Sequence, residues 1–177
     1  YFNAYTFVLA RQNEYLADRT SSELAGVSAA SLALVRTSVA ALHESEVFWP
    51  AINRRTVTEA DPPEDLSTLW NRSLANDLTP ALCQKYLDVA RKNSTDHLDT
   101  HPALTDRLQA LGVAIDECAV TQLEPLTETA ATVWLGESAK RIEEEFDREW
   151  SASVAQQWRD RHAHMKERSE RLDALES

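Results

Sequence analysis

The chain has 177 residues and a mass of 19.9 kDa, and 43% of its residues are hydrophobic, enough to bury a core in one domain. Only 3 glycines and 6 prolines occur, too few turn-formers for a sandwich or barrel with many hairpins, so the composition points to long helices. The net charge of −11 argues against nucleic acid as a partner and against an anionic lipid face, because both repel an acidic surface. Most of the excess lies in residues 61–136, with 5 basic against 12 acidic residues; residues 1–60 carry 5 against 6, and residues 137–177 carry 8 against 11.

Residues 1–25 read as a helix with Tyr5, Val8, Leu9 and Leu16 at helical spacing, and Gly26 is placed to stop it. Ser28 is expected to cap a second helix that runs to about residue 46 and carries Leu32, Val35, Val39 and Leu42. Pro50 suits the first turn of a further helix. Asp61-Pro62-Pro63-Glu64-Asp65 is a loop, and a helix starting at Asp65 or Ser67 extends to about Asn76. Thr79-Pro80 has the form of a cap followed by proline at the first helical position. That helix carries Leu82, Tyr86, Leu87 and Val89. After a polar loop, Thr100-His101-Pro102 opens a short helix with Leu104, Leu108 and Leu111, stopped by Gly112. Residues 113–125 read as irregular.

From about Thr127 to Leu175 the pattern is helical. Ile142, Phe146, Trp150, Val154 and Trp158 recur every four residues, a stride that drifts about 40° per turn on a 3.6-residue helix. Such a stripe winds around the helix, so it fits a helix crossing several partners better than a coiled coil. The expected fold is an all-α, irregular helical bundle with a long C-terminal helix. No window approaches 18 consecutive apolar residues. Cys83 and Cys118, without a CxxC pair, read as two inert thiols in a reducing compartment. The chain opens Tyr1-Phe2-Asn3 without Met or signal peptide, as a piece of something longer does.

Two constellations carry ionisable groups at informative spacing. Glu14 and Asp18 are one helical turn apart and share a face, with Arg11 three residues before Glu14. By spacing alone this is a solvated face with one ion pair or a pair of carboxylates aimed at a cation. His101, in Asp99-Thr100-His101-Pro102, stands at the lip of a helix, as a turn residue or as a ligand. Asp96, His97, Asp99 and His101 also place metal-ligand types in one short loop, a common occurrence. His43-Glu44 begins like HExxH, but Val47 stands where the second histidine belongs, and this segment reads as the exposed end of a helix. His162 and His164 point apart on the last helix, and Glu143-Glu144-Glu145 with Asp147 and Glu149 reads as a solvated face. Phosphate-cradling glycine motifs and a GxSxG elbow are absent.

Taken in order, Glu14-Tyr15-Leu16-Ala17-Asp18-Arg19 and Thr100-His101-Pro102 with Arg107-Leu108 resemble segments of membrane-associated zinc metallopeptidases of the CAAX prenyl endopeptidase and HtpX type. The resemblance covers residues 1–112. It implies that Glu14 is the third zinc ligand of a full-length parent, that Asp18 and Arg107 support this ligand without touching the metal, and that His101 contacts zinc or substrate. It implies a zinc-dependent metalloendopeptidase acting on a protein or peptide by a zinc-activated water. HExxH is missing from the chain, so the 177 residues alone are expected to be inactive and to bind no zinc tightly. Residues 1–112 would then be the C-terminal part of a metallopeptidase-like domain, and residues 113–177 a helical extension packing on it. The parent would be an integral membrane protein, with this soluble segment on the cytoplasmic side.

A reading of another class treats the chain as a non-catalytic, all-helical interaction or scaffold module. Trp134, Trp150 and Trp158 would serve it as interface anchors unless they pack in a core. A homodimer through surfaces such as the Phe7 and Glu14 face is compatible with either reading.

Overall fold

Gly26 ends the first helix with φ +88°, a backbone conformation that side-chain-bearing residues rarely adopt, and its amide still donates to the Ser22 carbonyl at 2.9 Å. The computed structural model describes residues 2–96, 99–115 and 128–176, with the backbone alone for 2–5, 173 and 176. Its described α-helices are α1 (Phe2–Ala25), α2 (Val27–His43), α3 (Trp49–Arg55), α4 (Leu66–Asn76), α5 (Pro80–Ala90), α6 (Leu104–Ala110) and α7 (Glu137–Glu176). Two π-helical turns, Glu44–Phe48 and Ala131–Leu135, precede α3 and α7. No strand occurs among the described residues, so the all-α expectation with a long C-terminal helix holds. None of the described helices is long and apolar enough to cross a membrane.

The chain forms two compact units, one from residues 1–43 and 78–124, the other from residues 44–77 and 125–177. Residues 44–77 belong to the same compact unit as residues 125–177.

In the first unit, α2, α5 and α6 enclose the core. Val35 and Val39 of α2 meet Cys83, Tyr86, Leu87 and Ala90 of α5 and Leu104 and Leu108 of α6. Burying a side chain of this size contributes about 1.5–3 kcal/mol, so these contacts fix the three helices. Thr79 caps α5 as expected, its hydroxyl accepting the Leu82 amide at 3.3 Å with Pro80 in the first turn. Two expected caps are corrected. Ser28 lies inside α2, because the single glycine turn at Gly26 lets the helix restart at Val27. Thr100 does not cap α6, whose first helical residue is Leu104 and whose N-cap residue is Ala103.

Residues 2–25 are helical as expected, with Phe7 and Tyr15 half-buried. Val8, Leu9 and Leu16 are exposed, Leu16 by 60%, while the one buried α1 side chain described is Asp18, 5% exposed. Arg11, Glu14 and Asp18 form the inward face, because their partners lie there.

The second unit is built around aromatic rings. Phe48, Ile52, Leu66 and Trp158 are buried, with Trp49, Leu69, Trp70 and Trp150 packed against them. The four-residue stripe on α7 winds as predicted, from exposed Ile142 and Phe146 through half-buried Trp150 and Val154 to buried Trp158. Trp150 and Trp158 therefore belong to the core, whereas Trp134 is 83% exposed. Near the other end of the packed stretch, Trp158 Nε1 donates to the Glu59 carbonyl at 2.9 Å and His162 Nδ1 to the Thr56 carbonyl at 2.8 Å. Those bonds satisfy backbone acceptors just beyond α3.

Asp147 departs from the expected solvated face. It is 5% exposed and accepts both the amide and the hydroxyl of Ser67, at 2.9 and 2.6 Å. Asp65, the residue before α4, makes no side-chain cap, so α7 supplies the carboxylate that the start of α4 lacks locally.

Candidate functional site

The first unit gathers Glu14, Asp18, His101 and Arg107 into one cluster. Its position follows from α6. Leu104 and Leu108, one turn apart, hold α6 against α2 and α5, which leaves Arg107 on the side facing α1. Arg107 Nε donates to Asp18 Oδ2 at 2.7 Å and its Nη2 to Asp18 Oδ1 at 2.6 Å, a fork-to-fork pair. The remaining nitrogen, Nη1, lies 2.6 Å from Glu14 Oε2. One guanidinium thus spans both carboxylates of the i, i+4 pair and offsets their mutual repulsion.

The hydrogen bond to Asp18 holds the Arg107 pKa above its ordinary value; burial opposes this, and the charges of Asp18 and Glu14 add to the rise. Arg107 therefore stays a cation at any working pH.

His101 reaches the other Glu14 oxygen. Its Nδ1–H donates to Glu14 Oε1, while the ring itself is 78% exposed. The exposed edge leaves Nε2 on the solvent side of a histidine tethered at Nδ1. His101 sits in a bend three residues before α6 and not on the helix lip, and its partner is the Glu14 carboxylate.

A brace not expected from the sequence holds this stretch in place. The Asp106 carboxylate accepts from the Thr95 amide at 2.9 Å and from the Thr95 hydroxyl. The Thr95 hydroxyl oxygen in turn accepts the Ala103 amide at 2.8 Å, and Thr105 donates to the Asn93 carbonyl at 2.8 Å. Arg11 reaches the same loop from α1, donating to the carbonyls of Asp99 at 2.6 Å and Asp96 at 3.4 Å. Arg11 thus clamps the loop that carries His101, and Arg107 supplies a cation at Glu14. A threonine and an aspartate at this spacing have no sequence signature that would have marked them.

The other candidates do not join this cluster. His43 is buried and not an exposed helix end, and Glu44 accepts from Trp49 Nε1 at 2.9 Å. Asp99 accepts the Asp96 amide at 2.7 Å, closing its own turn; His97 and Cys118 lie outside the described residues. Cys83 is a free, buried thiol whose pKa is pushed up by burial, against a smaller lowering by a backbone hydrogen bond.

Glu14 and His101 are ligand types, but the fit to zinc is incomplete within this chain. Among the described residues no three His, Cys, Asp or Glu side chains stand together to hold a metal ion. Both Glu14 oxygens also engage cationic or N–H donors here. What the arrangement does provide is an anionic carboxylate whose orientation is fixed by a guanidinium and an imidazole. Comparison with family models, with curated proteins and with solved structures returns no match for this chain.

Proposed function

We propose that this chain carries the third-ligand segment of a zinc metalloendopeptidase of the CAAX prenyl endopeptidase and HtpX type. In this reading Glu14 is the metal ligand, Asp18 and Arg107 position it, and His101 faces zinc or substrate. The two zinc histidines and the general base belong to an HExxH helix outside these 177 residues. The parent is membrane-anchored, with this segment on the cytoplasmic side, and cleaves a protein or peptide.

The observation that supports the reading is the convergence of Glu14 and Asp18 with His101 and Arg107, which lie more than 80 residues further along the chain. A metal-ligating carboxylate works only if outer partners hold its orientation, and Arg107 holds Glu14 while being held by Asp18. The same four residues also make an adequate ion-pair network for docking α1, so the metal role needs its own test. Metal analysis of the full-length parent should give one zinc per chain, lost in Glu14→Ala together with peptidase activity. A parent without an upstream HExxH, or a Glu14→Ala enzyme that keeps zinc and activity, overturns the assignment.

A second reading rests on the solvent face of α1. Exposed Val8, Leu9 and Leu16 suit a module that docks a partner helix or a second copy of the chain. The two readings are compatible, because a helix that covers α1 in the parent would occupy the same residues.

A further inference from the structure

We propose that the aromatic cleft of the second unit binds an alkylated ammonium head group. Phe48, Trp49, Trp70, Phe146 and Trp150 line a space of about 250 Å³, with Glu44 at its edge. Drug-sized ligands occupy pockets of roughly 300–1,000 Å³, so this cleft suits a head group and not a whole large molecule. The rings are not stacked flush. Phe48 meets Trp70 at 70° and Trp49 at 60°, and Trp49 meets Trp150 at 37°, with centroids 5.0 to 6.0 Å apart. Phe48 is buried at the base, whereas Trp49, Trp70 and Trp150 are half-buried and Phe146 is exposed, so these four rings keep surface open to the cleft.

The choice of a cation over a neutral apolar group rests on charge. Glu44 is the one ionisable side chain among the described residues lining the cleft. One of its oxygens accepts the Trp49 indole N–H at 2.9 Å, which fixes the carboxylate beside the ring that forms a wall. Residues 44–77 and 125–177, which make up this unit, contain 19 Asp and Glu against 11 Lys and Arg. Indole faces attract ammonium groups most strongly of the aromatic side chains, and alkylation lowers the cost of desolvating the cation. The rest of the lining meets the apolar alkyl groups.

Titration of the 177-residue chain with tetramethylammonium chloride, read by Trp fluorescence, tests the proposal. Sodium chloride at equal ionic strength and tert-butanol, a neutral molecule of similar shape, are the controls. A saturable change at least about threefold tighter for tetramethylammonium than for tert-butanol is expected. Glu44→Gln keeps an acceptor for Trp49 and removes the charge; Phe146→Ala trims an exposed wall that the fold does not need. Each should weaken binding by about threefold or more while leaving the thermal melt in place. Choline and an Nε-trimethyllysine amide, titrated in parallel, show whether a small molecule or a modified side chain is the better source of the head group. Equal affinity for tert-butanol, no saturation, or an unchanged titration in both variants overturns the proposal.

Discussion

Arg107 and Asp18 stand 89 residues apart in the chain and share two parallel hydrogen bonds, at 2.7 and 2.6 Å, on a carboxylate that is almost entirely buried. The pair joins α1 to α6, and on this side α1 has little apolar burial to hold it. Removing one partner of a buried ion pair leaves the other uncompensated, at a cost of about 3–5 kcal/mol where both are buried. Arg107 retains some solvent and a second carboxylate, so Asp18→Ala is expected to destabilise the first unit by about 2 kcal/mol. Arg107→Lys should lose much of the same energy, because an ammonium cannot form the fork. Urea unfolding of the single and double variants checks this, and a coupling near zero would mean that the pair does not hold α1.

Glu14 should behave differently. Its partners remain anchored without it, Arg107 by Asp18 and the His101 loop by Arg11 and by Thr95 with Asp106. Glu14→Ala is therefore expected to change stability by less than about 1 kcal/mol, even though it sits in the same cluster. A residue that is dispensable for stability yet held by two donors is one whose orientation matters for something else. Equal losses in Glu14→Ala and Asp18→Ala would instead mark the cluster as a purely structural network.

How much of this was legible depends on how local the signal is. Gly26, Gly112 and the Thr79-Pro80 pair announce helix ends within a few residues, and the helices fall where those residues put them. The spacing of Glu14 and Asp18 placed them on one face, but periodicity does not say which face turns inward. Arg107, far along the chain, turns the Glu14 and Asp18 face inward and leaves Leu9 and Leu16 exposed. Asp147 was misread for the same reason. Inside a run of acidic residues it looks solvated, and its role appears only when Ser67 arrives from 80 residues away. The Thr95–Asp106 brace and the aromatic cleft likewise depend on contacts that no local window contains.

The exposed α1 residues give a prediction about association. Leu9→Gln and Leu16→Gln should leave stability within about 0.5 kcal/mol, as surface substitutions do. If α1 docks a second copy, the same substitutions shift sedimentation at high concentration from dimer toward monomer. A dimer that persists in the double variant excludes this face as its interface.

Cys83 supplies a pH dependence whose sign can be worked out. Burial raises its pKa above the ordinary 9.0, so the folded state keeps the proton longer than the unfolded state does. The resulting stability is fully present below the unfolded pKa and is lost as pH rises through the folded value. Stability should therefore fall on the alkaline side above about pH 9, and Cys83→Ala should flatten that limb while costing some packing. In a Cys118→Ser background, Cys83 should react with a thiol reagent slowly when folded and rapidly in urea. Fast labelling of the folded chain would contradict its burial.

Asp147 offers the sharpest test of the second unit. It caps α4 from another helix, so its loss strands the Ser67 amide and hydroxyl together at a half-buried position. Replacement of an N-terminal cap typically costs about 0.5–2 kcal/mol, and the 5% exposure of Asp147 favours the upper end. Asp147→Ala is expected to destabilise by about 2 kcal/mol, and Asp147→Asn by less, since its amide oxygen still accepts. Ser67→Ala removes the hydroxyl bond but keeps the amide one, so its cost should be the smaller part of the total. Asp147→Ala in the Ser67→Ala background should then cost less than it does alone, because one of the two bonds is already gone. Strictly additive losses would show that Asp147 acts through the Ser67 amide and the charge of the helix end, and not through the Ser67 hydroxyl.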